Sequence, residues 1–94
     1  MNLSNAGAYT INGAAGVDII TGGKADDTLK GGNSDDSLSG GNGADIINGE
    51  NGNDTLSGGV GNDTFIINAG SDAISDLSGN DVIQVGASGT LTAN

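Results

Sequence analysis

Residues 22–66 read GGKADDTLK GGNSDDSLS GGNGADIIN GENGNDTLS GGVGNDTFI, five consecutive nonapeptides with no residue between them. Each follows Gly-Gly-x-Gly-x-Asp-x-U-x, where U is a large apolar residue: Leu29, Leu38, Ile47, Leu56 and Phe65. The sixth place holds Asp27, Asp36, Asp45, Asp54 and Asp63. Extending the frame outward adds Asp18 upstream and Asp72 and Asp81 downstream, so eight aspartates stand nine apart without a break. Self-similarity at a short fixed period is the mark of a solenoid.

The composition of the repeat explains how it would coil. Its first six places are Gly-rich and polar, suited to a turn with left-handed backbone. Its last three, such as Thr28-Leu29-Lys30, are β-prone, with only the middle side chain facing inward. A turn and a short strand reverse the chain, so two nonapeptides close one coil, and alternate units stack in parallel about 4.8 Å apart. The expected fold class is therefore all-β, a right-handed parallel β-roll (a β-helix or solenoid) of about four and a half coils with no helix. One wall contributes Ile11, Leu29, Ile47, Phe65 and Ile83 to the core; the other contributes Ile20, Leu38, Leu56 and Ile74.

The frame covers the chain as a single module, residues 1–94. Residues 4–12 (SNAGAYTIN) form a degenerate capping repeat, with Tyr9 where Asp belongs. Residues 13–66 are the regular repeats, 67–84 are degenerate repeats lacking Gly-Gly, and 85–94 make an extended tail or cap. Within the regular part Ala25 and Ser34 replace a fourth-place Gly and Glu50 a second-place Gly. A left-handed position penalises a side chain, so local adjustment is expected at Ala25 and Ser34.

Composition limits what such a chain can do. A net charge of −10, nineteen Gly, one Phe, one Tyr and no Trp leave a thin core in a self-repelling chain, the signature of disorder without a staple. Cys and His are both absent, which excludes disulfides and the usual zinc and copper sites. Carboxylates, carbonyls and Asn oxygens remain, and irregular carbonyl-rich loops suit calcium better than magnesium's strict octahedron. With Lys24 and Lys30 the only basic residues, neither nucleic acid nor an anionic membrane finds electrostatic purchase. No stretch is apolar enough to insert into a bilayer, and the first ten residues, MNLSNAGAYT, lack the pattern of a Sec-type signal peptide. The open ends of a roll invite weak end-to-end self-association or a neighbouring domain.

Stacking alternate units places Asp18, Asp36, Asp54 and Asp72 along one edge, and Asp27, Asp45, Asp63 and Asp81 along the other. Bare carboxylates about 5 Å apart repel, and a divalent cation between successive pairs turns the repulsion into a bridge. Counting the gaps gives three sites per edge, six in all, which would take a net charge of −10 to about +2. The fifth-place Asp26 and Asp35 are expected to be solvated loop charges rather than ligands. Adjacent side chains diverge, and no cleft-forming aromatics accompany them, so a glycosidase-like acid pair does not fit either.

In this nonapeptide the chain resembles the RTX (repeats-in-toxin, haemolysin-type) β-rolls over nearly its whole length. The resemblance implies Ca²⁺ shared between two loops one coil apart, held by sixth-place Asp and by backbone carbonyls of the first four places. The implied carbonyls are those of Gly22 and Gly23; Gly31, Gly32, Asn33 and Ser34; Gly40, Gly41, Asn42 and Gly43; Gly49, Glu50, Asn51 and Gly52; Gly58, Gly59, Val60 and Gly61. The pairs with the fullest loops are Asp45 with Asp63 and Asp27 with Asp45, then Asp36 with Asp54. It further implies a non-catalytic module that folds on calcium, typical of the C-terminal region of a bacterial protein exported by type I secretion, and hence extracellular. The alternative is a solenoid face that binds polysaccharide or ice. An ice-binding array repeats Thr-x-Thr, whereas here Thr28-x-Lys30, Ser37-x-Ser39, Ile46-x-Asn48, Thr55-x-Ser57 and Thr64-x-Ile66 follow one another.

Overall fold

The computed structural model describes residues 9–76 and 81–93. The expectations for residues 4–8 of the capping repeat and for 77–80 of the last degenerate repeat lie outside them. Among the described residues every regular element is a strand: β1 Thr10–Asn12, β2 Ile19–Thr21, β3 Thr28–Gly32, β4 Ser37–Asn42, β5 Ile46–Glu50, β6 Thr55–Val60, β7 Thr64–Asp76 and β8 Val82–Ala93.

All pairings are parallel; they link alternate strands as far as β5 with β7, and the long β7, which turns from one wall to the other, also pairs with β6 and β8. One wall is built by β1, β3, β5 and the start of β7, and the other by β2, β4, β6 and the end of β7. Partners stand one coil apart, as in Ile11↔Leu29, Leu29↔Ile47 and Ile47↔Phe65 on one side and Ile20↔Leu38 and Leu38↔Leu56 on the other. This is the parallel β-roll that the nonapeptide period predicts.

The strands outrun the three residues expected of them. Gly32 pairs with Glu50, Gly41 with Gly59 and Asn42 with Val60, so the ladder continues around the corner into the loop. The cause is the constant repeat length: each loop has the same number of residues as the loop beneath it, so its backbone stays in register.

The predicted apolar residues of both walls form the core. Ile11, Ile20, Leu29, Leu38, Ile47, Leu56, Phe65 and Ile74 are buried, with Ile83 packed against them. Ile67 is buried as well, which the motif did not anticipate. It occupies a first place, two residues after Phe65 and on the same inward side of the strand. Irregularities in the ladder accompany it, between Leu56 and Ser57 on one side and between Ile67 and Ala69 on the other. Beyond that shift β8 runs beside β7, with Ser88 opposite Ala69 and Ala93 opposite Ile74, so residues 85–93 lie along the roll.

The two fourth-place substitutions behave differently. Ser34 takes the left-handed conformation itself, at φ 81°, as does Glu50 at its second place, at φ 66°. Ala25 is not left-handed, and neither is Gly23, so the loop of residues 22–27 is the one that adjusts. A side chain held at positive φ costs about 1–2 kcal/mol. Ser34→Gly should therefore stabilise the roll, net of glycine's extra chain entropy, by about 0.5–1 kcal/mol. A denaturant titration of the variant beside the parent measures it.

Candidate metal centre

Each sixth-place Asp except Asp72, which lies within β7, stands just before a strand, where the loop closes on the wall. The backbone N–H of one such residue donates to Oδ1 of the Asp one coil further on. Along one edge Asp18 donates to Asp36 at 2.8 Å, Asp36 to Asp54 at 2.8 Å and Asp54 to Asp72 at 2.8 Å. Along the other Asp27 donates to Asp45 at 2.7 Å, Asp45 to Asp63 at 2.9 Å and Asp63 to Asp81 at 2.8 Å. Tyr9 keeps the backbone part of this role: its N–H donates to Asp27 Oδ1 at 3.0 Å. The two predicted columns of aspartate are thus present, and each carboxylate from Asp27 onward is fixed by a main-chain bond.

The second carboxylate oxygen has a different environment. Oδ2 of Asp18, Asp36, Asp45, Asp54, Asp72 and Asp81 is buried and accepts no hydrogen bond. A buried carboxylate oxygen without a donor or a cation is costly. The first-place glycines show what lies around it. A Cβ on Gly31 would stand 2.5 Å from Asp36 Oδ2 and 2.9 Å from the carbonyl oxygen of Gly49, one coil on. On Gly13 it would stand 2.5 Å from Asp18 Oδ2 and 2.8 Å from the carbonyl oxygen of Gly31. A carboxylate oxygen and a first-place carbonyl therefore converge at Gly13, Gly22, Gly31 and Gly40.

Second-place carbonyls are partly engaged: Gly23 O accepts from Asn42 N at 2.9 Å and Gly32 O from Asn51 N at 3.1 Å. Each retains a second lone pair. Among the described residues no three acidic side chains converge on a point, so a cation here must draw much of its coordination from backbone oxygen.

The electrostatics point the same way. Burial, opposed by the Asp27 N–H bond and reinforced by the facing Asp63 and Asp27 carboxylates, pushes Asp45 from an ordinary 3.8 up to about 6. Burial, opposed by the Asp36 N–H bond and reinforced by Asp72 and Asp36, pushes Asp54 up to about 7. Asp36 and Asp72 are raised too, both chiefly by burial. At Asp36, Asp45 and Asp54 neighbouring carboxylates add to the effect of burial.

The fifth-place residues depart from expectation. Asp26 and Asp35 are exposed, yet they are not free loop charges: Asp26 Oδ1 accepts from Ala44 N and Asp35 Oδ1 from Asn53 N, both at 2.8 Å. Sequence reasoning missed this role because an Asp in a polar loop looks solvated. The clue was positional, since Asp26, Asp35 and Asn53 share one place in the motif. The glycine seat for Oδ2 was missed likewise, because the motif shows Gly without showing which atom it accommodates.

Fold and site together define a parallel β-solenoid whose two edges carry regular columns of buried aspartate. The chain belongs to the RTX calcium-binding nonapeptide repeat family: that family's model matches in four copies, over residues 5–38, 12–47, 30–65 and 66–88. It is a calcium-binding repeat module. No curated protein and no solved structure matches the chain.

Proposed function

We propose that this module is a non-catalytic, calcium-operated folding unit of a secreted, extracellular bacterial protein, exported unfolded by the type I route and folding where calcium is abundant. The buried Oδ2 atoms of Asp18, Asp36, Asp45, Asp54, Asp72 and Asp81, each short of a hydrogen bond, carry the reading. Calcium supplies the missing positive charge and coordinates oxygen in irregular geometry. Asp18, Asp36, Asp54 and Asp72 on one edge, and Asp27, Asp45, Asp63 and Asp81 on the other, would hold it with loop carbonyls. The first-place carbonyls of Gly31, Gly49 and Gly58 are the best supported, since they converge with carboxylate oxygens. The proposed stoichiometry is about six ions, three per edge.

Far-UV circular dichroism across a calcium titration tests the reading. In chelator the chain should lack β signal. Millimolar Ca²⁺ should restore it cooperatively, and Mg²⁺, which dehydrates reluctantly, should not. A β-rich spectrum that persists in excess chelator at neutral pH would sink the proposal.

A ranking follows from the columns. Asp45 lies between Asp27 and Asp63, whereas Asp72 faces Asp54 alone in its column, because Leu91 is its partner one coil on. Asp45→Ala should therefore raise the calcium midpoint more than Asp72→Ala. Equal midpoints in the two variants would show that the shared-carboxylate pairing is wrong.

A further inference from the structure

The fifth motif place has no part in the core or in the carboxylate columns, yet it makes a ladder of its own. Asp26 Oδ1 accepts from Ala44 N, Asp35 Oδ1 from Asn53 N and Asn53 Oδ1 from Ser71 N, each at 2.8 Å and each eighteen residues apart. These side chains reach toward the following coil. The sixth-place carboxylates reach toward the preceding one, as Asp36 Oδ1 does to Asp18 N at 2.8 Å. Adjacent residues such as Asp35 and Asp36 thus grip the coil on either side of their own.

Resting on the calcium reading above, we propose that the fifth-place Asp and Asn side chains are positioning residues. They hold successive loops one coil apart, so that the sixth-place carboxylates and first-place carbonyls of neighbouring loops face one another when the ion arrives. The role needs an acceptor oxygen and no charge, since Asn53 performs it with an amide at the same 2.8 Å as Asp35. A negative charge is a burden there, because Asp35 adjoins Asp36 and repels it. Asparagine should then serve at least as well as aspartate, while alanine should not.

The order of variants separates this role from direct ligation. Asp35→Ala, Asp35→Asn and the unmodified chain are compared at one half-saturating calcium concentration by circular dichroism. Bound ions are counted by calorimetry, and exchange of the Asn53 amide is followed by NMR. Losing one hydrogen bond should lower the folded-to-unfolded ratio about fivefold in Asp35→Ala and speed Asn53 exchange. Asp35→Asn should equal or exceed the parent, and the ion count should be unchanged in both.

A gain is expected from Val17→Asn. Val17 is exposed and occupies the fifth place one coil before Asp35, so an amide there would reach the Asp35 N–H. The ratio should rise about fivefold and Asp35 exchange should slow. Asp35→Asn behaving as badly as Asp35→Ala with an ion lost would make the residue a ligand and overturn the proposal. So would an Asn53 amide indifferent to Asp35→Ala. A parent chain that ignores calcium would defeat the calcium reading instead, and the Asn53 amide would still report on the ladder.

Discussion

Gly31→Ala is expected to cost about 3 kcal/mol, more than half the stability of a small domain of ordinary marginality. The added methyl would meet Asp36 Oδ2 at 2.5 Å, the Gly49 carbonyl oxygen at 2.9 Å and Asp36 Cβ at 3.0 Å. None of these sits at the end of a flexible chain: the carboxylate is short and its Oδ1 is held by Asp18 N, and the carbonyl is backbone. Either the carboxylate gives up its seat or the next coil moves away, and both damage the proposed calcium site. Gly16→Ala is the control. It has open space around the new carbon but a φ of 91°, so the cost is backbone strain alone, about 1–2 kcal/mol. Chemical denaturation in saturating calcium should separate the two variants. The Gly31 variant should also raise the calcium midpoint, and the Gly16 variant should do so less. Equal losses would mean that Asp36 and the next coil yield to the methyl, and that the first place is not a tight seat for Oδ2.

The second large effect is that of pH, and it has opposite signs with and without calcium. Asp54 sits at about 7 and Asp45 at about 6 in the folded chain, against 3.8 for the free carboxyl, chiefly through burial. The metal-free roll therefore binds more protons than the unfolded chain between those values. Its stability should rise as pH falls from about 7 and be complete below about 4, and it should be lost again as pH climbs through 6 to 7. Calcium needs the ionised carboxylates, so its midpoint should move to higher concentration over the same acid range. Two series of spectra from pH 8 to pH 4, one in chelator and one in fixed calcium, should show β signal growing in the first and calcium sensitivity fading in the second. Metal-free β signal that declines steadily with acid would show that the carboxylates are not buried together.

The nonapeptide frame made the architecture legible for a simple reason. A repeat of constant length fixes register, and register fixes which residues meet: Leu29 with Ile47, Asp27 with Asp45. The column arrangement of Asp on the two edges follows from the same arithmetic. What the motif concealed was direction. It could not show that Asp36 reaches back to Asp18 while Asp35 reaches forward to Asn53, since both are simply acidic loop residues until the backbone conformation is known. Ile67 was hidden by its own irregularity: the first place holds Gly wherever the motif is full, so its inward orientation went unremarked until a large side chain occupied it.

That directionality makes a stack of these coils a polar rod. From Asp18 to Asp63 every sixth-place amide looks toward a carboxylate further along the chain, as Asp27 N does to Asp45 and Asp54 N to Asp72. Cut across such a stack and the two fresh faces differ, one offering sixth-place carboxylates beside fifth-place amides and the other sixth-place amides beside fifth-place side-chain oxygens. Nose to heel, each of these rows finds its complement in register. An array built this way is lengthened in register by appending coils in one orientation, a heterologous and open-ended mode of growth.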